Sequence, residues 1–203
     1  VGCWEEEDIM WGGVEVGLLY KKRVSLCEVI NNINSTRFSC DIEKIEVIDN
    51  WQYENERIIR KNEFNQIQKL ISEGKIVIIE GKINSIHQFG ISFSVTDQDN
   101  FNIEFWISTK EIKELDSSYI TNTNLYIYDL LLKKLTQFLN KKYLIFCSIG
   151  SETVLSCNEI DEVDISKSKN VCMWIFPTDK NIQALERYSK NTVNDFIVYR
   201  LYE

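Results

Sequence analysis

Val14, Val16 and Leu18 recur at every second position, so residues 13–22 read as a strand with one apolar face. The period then changes. Ser25 and Glu28 form a capping box, Val24 and Val29 staple it, and Leu26, Val29, Ile30 and Ile33 follow at helical spacing. Residues 42–48 return to a strand pattern, and the polar, aromatic stretch 51–60 receives no assignment. Asn62 caps a second helix carrying Phe64, Ile67, Leu70 and Ile71, which Gly74 stops.

A meander is predicted next. Its strands are 75–83, 89–96 and 101–107, joined near His87 and through Asp97-Gln98-Asp99-Asn100. Ser108 and Glu111, stapled by Ile107 and Ile112, start a short helix that ends near Asp116. Residues 124–140 form a longer helix, apolar on more than one face and therefore central, although 125–128 also suit a strand. Residues 143–149 and 171–176 are strands of the fully buried type. Pro177-Thr178-Asp179 opens a last helix through Lys190, and 196–202 close the chain as a strand. Hairpins mix with helices without a sustained β-α-β rhythm. The expected class is α+β: a mixed sheet that includes the three-stranded antiparallel meander (about 75–107), with several packed helices.

The meander also predicts two sheet faces, because successive side chains point to opposite sides. Ile91, Phe93, Val95, Ile103, Phe105 and Ile107 go inward with Val77, Ile79 and Ile83. The opposite side carries Ser92, Ser94, Asn102, Glu104 and Trp106, with Glu80 and Lys82 beside them. Glu80-Gly81-Lys82 is an E-x-K on a strand and resembles half of the metal-dependent nuclease signature. The preceding Pro-Asp element of that signature is not recognisable here. Carboxylates can hold Mg²⁺ and a lysine can orient a water. Ion pairing across a wet face explains the same residues.

Composition narrows the class further. The chain has 203 residues, 44% hydrophobic and 27% charged, with one proline and eight glycines. That suits one globular domain, 1–203, with a real core and no low-complexity linker. No apolar run reaches the roughly 18 residues of a membrane span. Glu5, Glu6, Glu7 and Asp8 near the start oppose a basic signal peptide, which predicts a cytoplasmic protein. The six cysteines show no C-x-x-C pair, and Cys27, Cys147 and Cys172 sit in apolar segments. They are read as reduced and structural.

Enzyme templates fail at the inventory. His87 is the only histidine, so a His-dependent triad would have to run through a hairpin connection. The same shortage disfavours a zinc site. No Gly-rich phosphate loop occurs, and Ile149-Gly150-Ser151 lacks the full nucleophile-elbow pattern and reads as a turn. The expectation is a non-enzymatic chain with no cofactor and no metal.

Charge supplies the positive signal. The net charge is −8, and the acidity is concentrated. Residues 1–20 carry Glu5, Glu6, Glu7, Asp8 and Glu15 without a base. Residues 143–166 carry Glu152, Glu159, Asp161, Glu162 and Asp164, again without a base. Such patches disfavour nucleic acid and anionic membranes and favour a cationic protein partner. Trp4 and Trp11 flank the first patch, an anchor-and-rim composition typical of interfaces. The candidate partner-binding residues are therefore Trp4, Glu5, Glu6, Glu7, Asp8 and Trp11 in one stretch. The second stretch offers Glu152, Glu159, Asp161, Glu162 and Asp164.

On Trp4-Glu5-Glu6-Glu7-Asp8, on Asn158-Glu159-Ile160-Asp161-Glu162-Val163-Asp164 and on the missing catalytic inventory, the chain resembles an immunity protein of the bacterial polymorphic-toxin and contact-dependent-inhibition systems. The resemblance lies in general character over the whole chain, without a family motif or a residue that carries over. It implies a small cytosolic α or α+β domain that binds and blocks a toxin domain, here a basic one. The alternatives are a metal-dependent nuclease or hydrolase on the Glu80/Lys82/Glu104 face, and a non-catalytic adaptor domain.

Overall fold

The computed structural model describes residues 13–21, 40–60, 64–83, 87–96, 100–108, 117–155, 157–159, 162–180, 182 and 186–203. In chain order these form β1 (Gly13–Tyr20), β2 (Cys40–Ile48), β3 (Arg57–Ile58), α1 (Phe64–Ser72), β4 (Ile76–Ile83), β5 (His87–Val95) and β6 (Phe101–Ser108). Then come α2 (Leu125–Phe138), β7 (Leu144–Val154), β8 (Cys157–Glu159), β9 (Glu162–Val163), β10 (Lys169–Pro177), β11 (Ser189–Val193) and β12 (Phe196–Arg200).

Ten strands join one sheet in the order β11-β12-β10-β7-β1-β6-β5-β4-β2-β3, while β8 and β9 form a separate two-stranded ribbon. Every strand pair within the sheet is antiparallel. The expected α+β class with a mixed sheet and several packed helices is therefore overturned. The protein is sheet-dominated, with two short helices of 9 and 14 residues among the described residues. The meander is present as β4-β5-β6, but it is only three of the ten strands.

Three local readings are corrected as well. Residues 189 and 190 are not the end of a helix. They begin β11, which pairs with β12 through the two-residue turn Asn194-Asp195, with Asn194 at φ 54°. Asn tolerates that left-handed backbone better than most residues. Gly150-Ser151 is not a turn either, because β7 runs through it to Val154. His87 opens β5 opposite Ile83 rather than lying in the connection. The unassigned stretch 51–60 contains β3, and its turn is tied by Asp49 N–H to the Glu54 carbonyl at 3.0 Å. The predicted helices starting at Ser25 and Ser108 fall mostly outside the described residues.

The two faces of the sheet are built differently. One face is continuously apolar: Val16, Ile45, Val77, Phe93, Ile103 and Cys147 all join a single core cluster. Both helices cover this face. Ile67, Leu70 and Ile71 of α1 belong to the same cluster, as do Tyr128, Leu132 and Leu135 of α2. Gly74, at φ 83°, ends α1 in a Schellman motif: Lys75 N–H donates to the Leu70 carbonyl at 3.0 Å and Gly74 N–H to the Ile71 carbonyl at 3.1 Å. The second helix is not central. It packs by one side and leaves Tyr126 and Leu130 exposed.

The other face holds two apolar islands. One is aromatic, with Phe146, Trp174, Phe176 and Tyr199 packed ring against ring at centroid spacings of 5.7–6.2 Å. The other is Ile48, Ile76 and Ile78, with Trp106 against them. This explains the continuous apolar runs of β4, β7 and β10, which are buried on both sides, and the alternation of β1, β5 and β6 between them.

Candidate functional site

The alternating strands leave a polar strip across the middle of the second face. Register fixes its members. Glu104 of β6 pairs with Ser92 of β5 on one side and Gly17 of β1 on the other, and Gly17 pairs with Ser148 of β7. Two residues along, Trp106 pairs with Gly90 and with Glu15. Strand alternation puts all of these side chains on the same side.

A cleft of about 390 Å³ opens on this strip, lined by Glu15, Gly17, Glu104, Trp106, Phe146 and Ser148, among others. Glu15 Oε2 accepts hydrogen bonds from Thr153 N–H and Thr153 Oγ1, each at 2.8 Å. Glu104 accepts from Asn102 Nδ2 at 3.1 Å and from the buried Ser92 hydroxyl at 3.3 Å. No Lys or Arg among the described residues pairs with either carboxylate. The Trp106 ring lies on Gly90, where any side chain would overlap it.

The floor carries a buried hydroxyl. Ser148 is only 1% exposed, yet no described group hydrogen-bonds its hydroxyl. Gly17 makes room for it: a Cβ there would stand 2.8 Å from Ser148 Oγ. A buried hydroxyl without a partner costs roughly 1–3 kcal/mol of stability.

The Glu80/Lys82/Glu104 group shares this face but does not assemble. Glu80 pairs with Gly90 and Glu104 with Ser92, so β5 runs between them and their backbone positions lie two strands, about 10 Å, apart and offset by two residues. Lys82 is engaged elsewhere, by Glu43 at 3.2 Å. Glu80 instead belongs to the charged edge with Lys44, Glu46 and Glu56. There Lys44 is ion-paired with Glu46, and Glu46 in turn raises the Glu56 carboxyl above its usual range through a shared hydrogen bond and like charge. Among the described residues, no group of three His, Cys, Asp or Glu side chains could hold a metal.

Most predicted partner-binding residues fall outside the described set. Trp4, Glu5, Glu6, Glu7, Asp8, Trp11 and Asp161 lie wholly outside it. Glu152, Glu159 and Glu162 are placed by backbone in β7, β8 and β9. Asp164 is described in full. Its carboxylate accepts from the Ser166 hydroxyl and N–H and pairs with Lys167 at 3.0 Å. The Ser166 hydroxyl and then Lys167 hold its carboxyl down at about 2. Val163 and Ile165 next to it pack into the aromatic island.

One relation between the acidic stretches emerges only in three dimensions. Val14 pairs with Ser151 and Glu15 with Gly150, so the chain enters β1 at the edge where β7 leaves. Glu15 of the first stretch and Thr153 of the second therefore meet at the cleft. Glu15 was legible as the polar partner of Val14 and Val16, but Gly17, Ser148 and Thr153 gave no sequence signal. Their roles depend on the long-range pairing of β1 with β6 and β7.

Comparison with known proteins gives no matching family model, no matching curated protein and no matching solved structure. No helix among the described residues is long and apolar enough to cross a membrane.

Proposed function

We propose that this chain is a protein-binding inhibitor of the immunity type, cytoplasmic and non-enzymatic, which neutralises a basic toxin domain by direct contact. The observation that carries the reading is the antiparallel pairing of β1 with β7, which brings Glu15 of the first acidic stretch beside Gly150 and Thr153 of the second, next to Glu104. Concentrated like charge opposes folding through self-repulsion, and a cationic partner relieves it. Hydrogen bonds from Thr153 and Asn102 orient the two carboxylates while leaving them without a basic partner among the described residues. A metal-dependent hydrolase finds less support, since Lys82 pairs with Glu43 and β5 separates Glu80 from Glu104.

The test is surface-plasmon binding to a basic domain encoded beside this chain, across a salt series. Long-range attraction mainly speeds association, so the on-rate should fall as salt rises, and neutralising Glu5, Glu6 and Glu7 should slow it modestly. Binding with a flat salt dependence, unchanged in variants of both acidic stretches, contradicts the reading.

A further inference from the structure

The cleft is more than a patch of negative potential, and its chemistry selects among cations. We propose that it is a pocket for one guanidinium group, the arginine side chain of a protein partner. This rests on the inhibitor reading above and deepens it.

Three observations converge. The first is the pair of carboxylates. Glu15 and Glu104 stand on neighbouring strands, offset by two residues along the pairing, and both line the cleft. Each is already oriented by donors of its own, Thr153 for Glu15 and Asn102 with Ser92 for Glu104. A cation therefore meets them without reorganising them.

The second is the floor. Ser148 is nine-tenths buried and more, lines the cleft, and has no hydrogen-bond partner among the described residues. Its hydroxyl can accept a donor that reaches below the carboxylates. Gly17 keeps that approach open, because a side chain there would crowd the hydroxyl.

The third is the wall. The Trp106 ring covers Gly90 and lines the cleft, and Phe146 of the aromatic island lines it too. A planar, weakly hydrated cation stacks on such surfaces, whereas an ammonium keeps its hydration and presents no plane. Five N–H donors in a fixed fork also match two separated carboxylates and a deeper oxygen better than three donors on a point charge.

The experiment uses the whole chain and two probes, acetyl-arginine amide and its uncharged isostere acetyl-citrulline amide, followed by amide and indole NMR shifts. The arginine probe should give saturable shifts at Gly17, Asn102, Ser148 and the Trp106 indole, with weak affinity of about millimolar Kd. The citrulline probe should give none. Glu15→Gln with Glu104→Gln should weaken the arginine probe at least about tenfold, and Ser148→Ala should weaken it without lowering Tm. A purely structural role for Ser148 would instead lower Tm and leave probe affinity unchanged. Absence of saturable shifts at the cleft, or equal shifts from both probes, overturns the pocket.

A second arm separates this proposal from the reading beneath it. In the complex with the basic partner, Glu15→Gln with Glu104→Gln should accelerate dissociation at least about 30-fold, as loss of a buried paired charge does. If partner binding stays salt-dependent but dissociation is unchanged, the pocket fails and the inhibitor reading stands. If the arginine probe binds but the partner does not, the inhibitor reading fails, and with it the assignment to a partner's side chain.

Discussion

The two faces of the sheet solve opposite problems with the same strands. The helix-covered face is one uninterrupted apolar cluster in which Phe93, Ile79 and Cys147 have essentially no solvent exposure. The opposite face breaks its apolar surface into two islands and keeps a polar strip between them. The strip falls where β1, β5 and β6 alternate, at the centre of the sheet rather than at an edge. Burial is thus spent on the flanks of that face, and its middle carries carboxylates, an orphaned hydroxyl and an indole. The Ser148 hydroxyl is one of five buried side-chain polar atoms unpartnered among the described residues, with those of Tyr128, Trp174, Tyr199 and Arg200, and it is the one of them that lines the cleft.

The largest effects should come from the closed face. Phe93→Ala, in contact with Phe101 at a centroid distance of 6.3 Å, should cost about 3–5 kcal/mol in urea denaturation. Gly90→Val tests the junction between strip and island. The added side chain must displace the Trp106 ring, so destabilisation of about 1–3 kcal/mol is expected, together with a changed near-ultraviolet dichroism. An unchanged spectrum would mean that the indole does not rest on Gly90.

The open face should behave differently. Ser148→Ala removes a hydroxyl that pairs with nothing described, so stability should stay level or rise by about 1 kcal/mol. A clear loss would show that the hydroxyl has a structural partner. Replacing Glu80 and Glu104 with Gln should change stability by no more than about 0.5 kcal/mol each. Calorimetry with Mg²⁺ should show no saturable site. A metal site abolished by Glu80→Gln would revive the hydrolase alternative.

Buried acids of the closed face also set the response to pH. Burial pushes the Cys147 thiol up, the Cys172 thiol up to about 12, and the Tyr20 and Tyr128 hydroxyls up as well. At alkaline pH these groups keep their protons in the folded state and release them on unfolding. Their contribution is complete below the ordinary thiol range and is lost as pH rises toward 12. Asp164 acts at the other end. Its contribution is present above its ordinary value of 3.8 and is lost as pH falls toward 2. Denaturation midpoints across this range should decline steeply on the alkaline side and more shallowly on the acid side. At neutral pH, alkylation should spare Cys147 and Cys172 until the protein unfolds. After denaturation without reductant all six cysteines should react, and fewer labelled thiols would contradict the expectation that the chain carries no disulfide.

What the sequence revealed was local. Alternation at Val14, Val16 and Leu18 and along residues 89–107 assigned strands and faces that agree with the observed register. It also grouped Glu104 with Trp106. The helix ending at Gly74 was equally plain, because its stop signal is a backbone conformation that glycine favours. Pairing between distant segments was not legible. Nothing near Gly17 or Ser148 announces that β1 inserts between β6 and β7. Pro177-Thr178-Asp179 resembles a helix start, yet tertiary pairing with β12 makes Ser189–Val193 a strand. Helical propensity over a short stretch is a weak prior beside a neighbouring edge with free hydrogen-bonding groups.

The central claim is that the open face, and not the helix-covered one, meets a cationic partner. It is tested most directly by comparing two variants in one binding assay with the basic partner domain across a salt series. Glu15→Gln with Glu104→Gln alters the cleft, and Glu73→Gln removes an exposed carboxylate just past the end of α1. The account predicts weaker binding and a shallower salt dependence for the cleft variant, with Glu73→Gln behaving like the parent. Equal behaviour of the two variants, or a loss confined to Glu73→Gln, would contradict it.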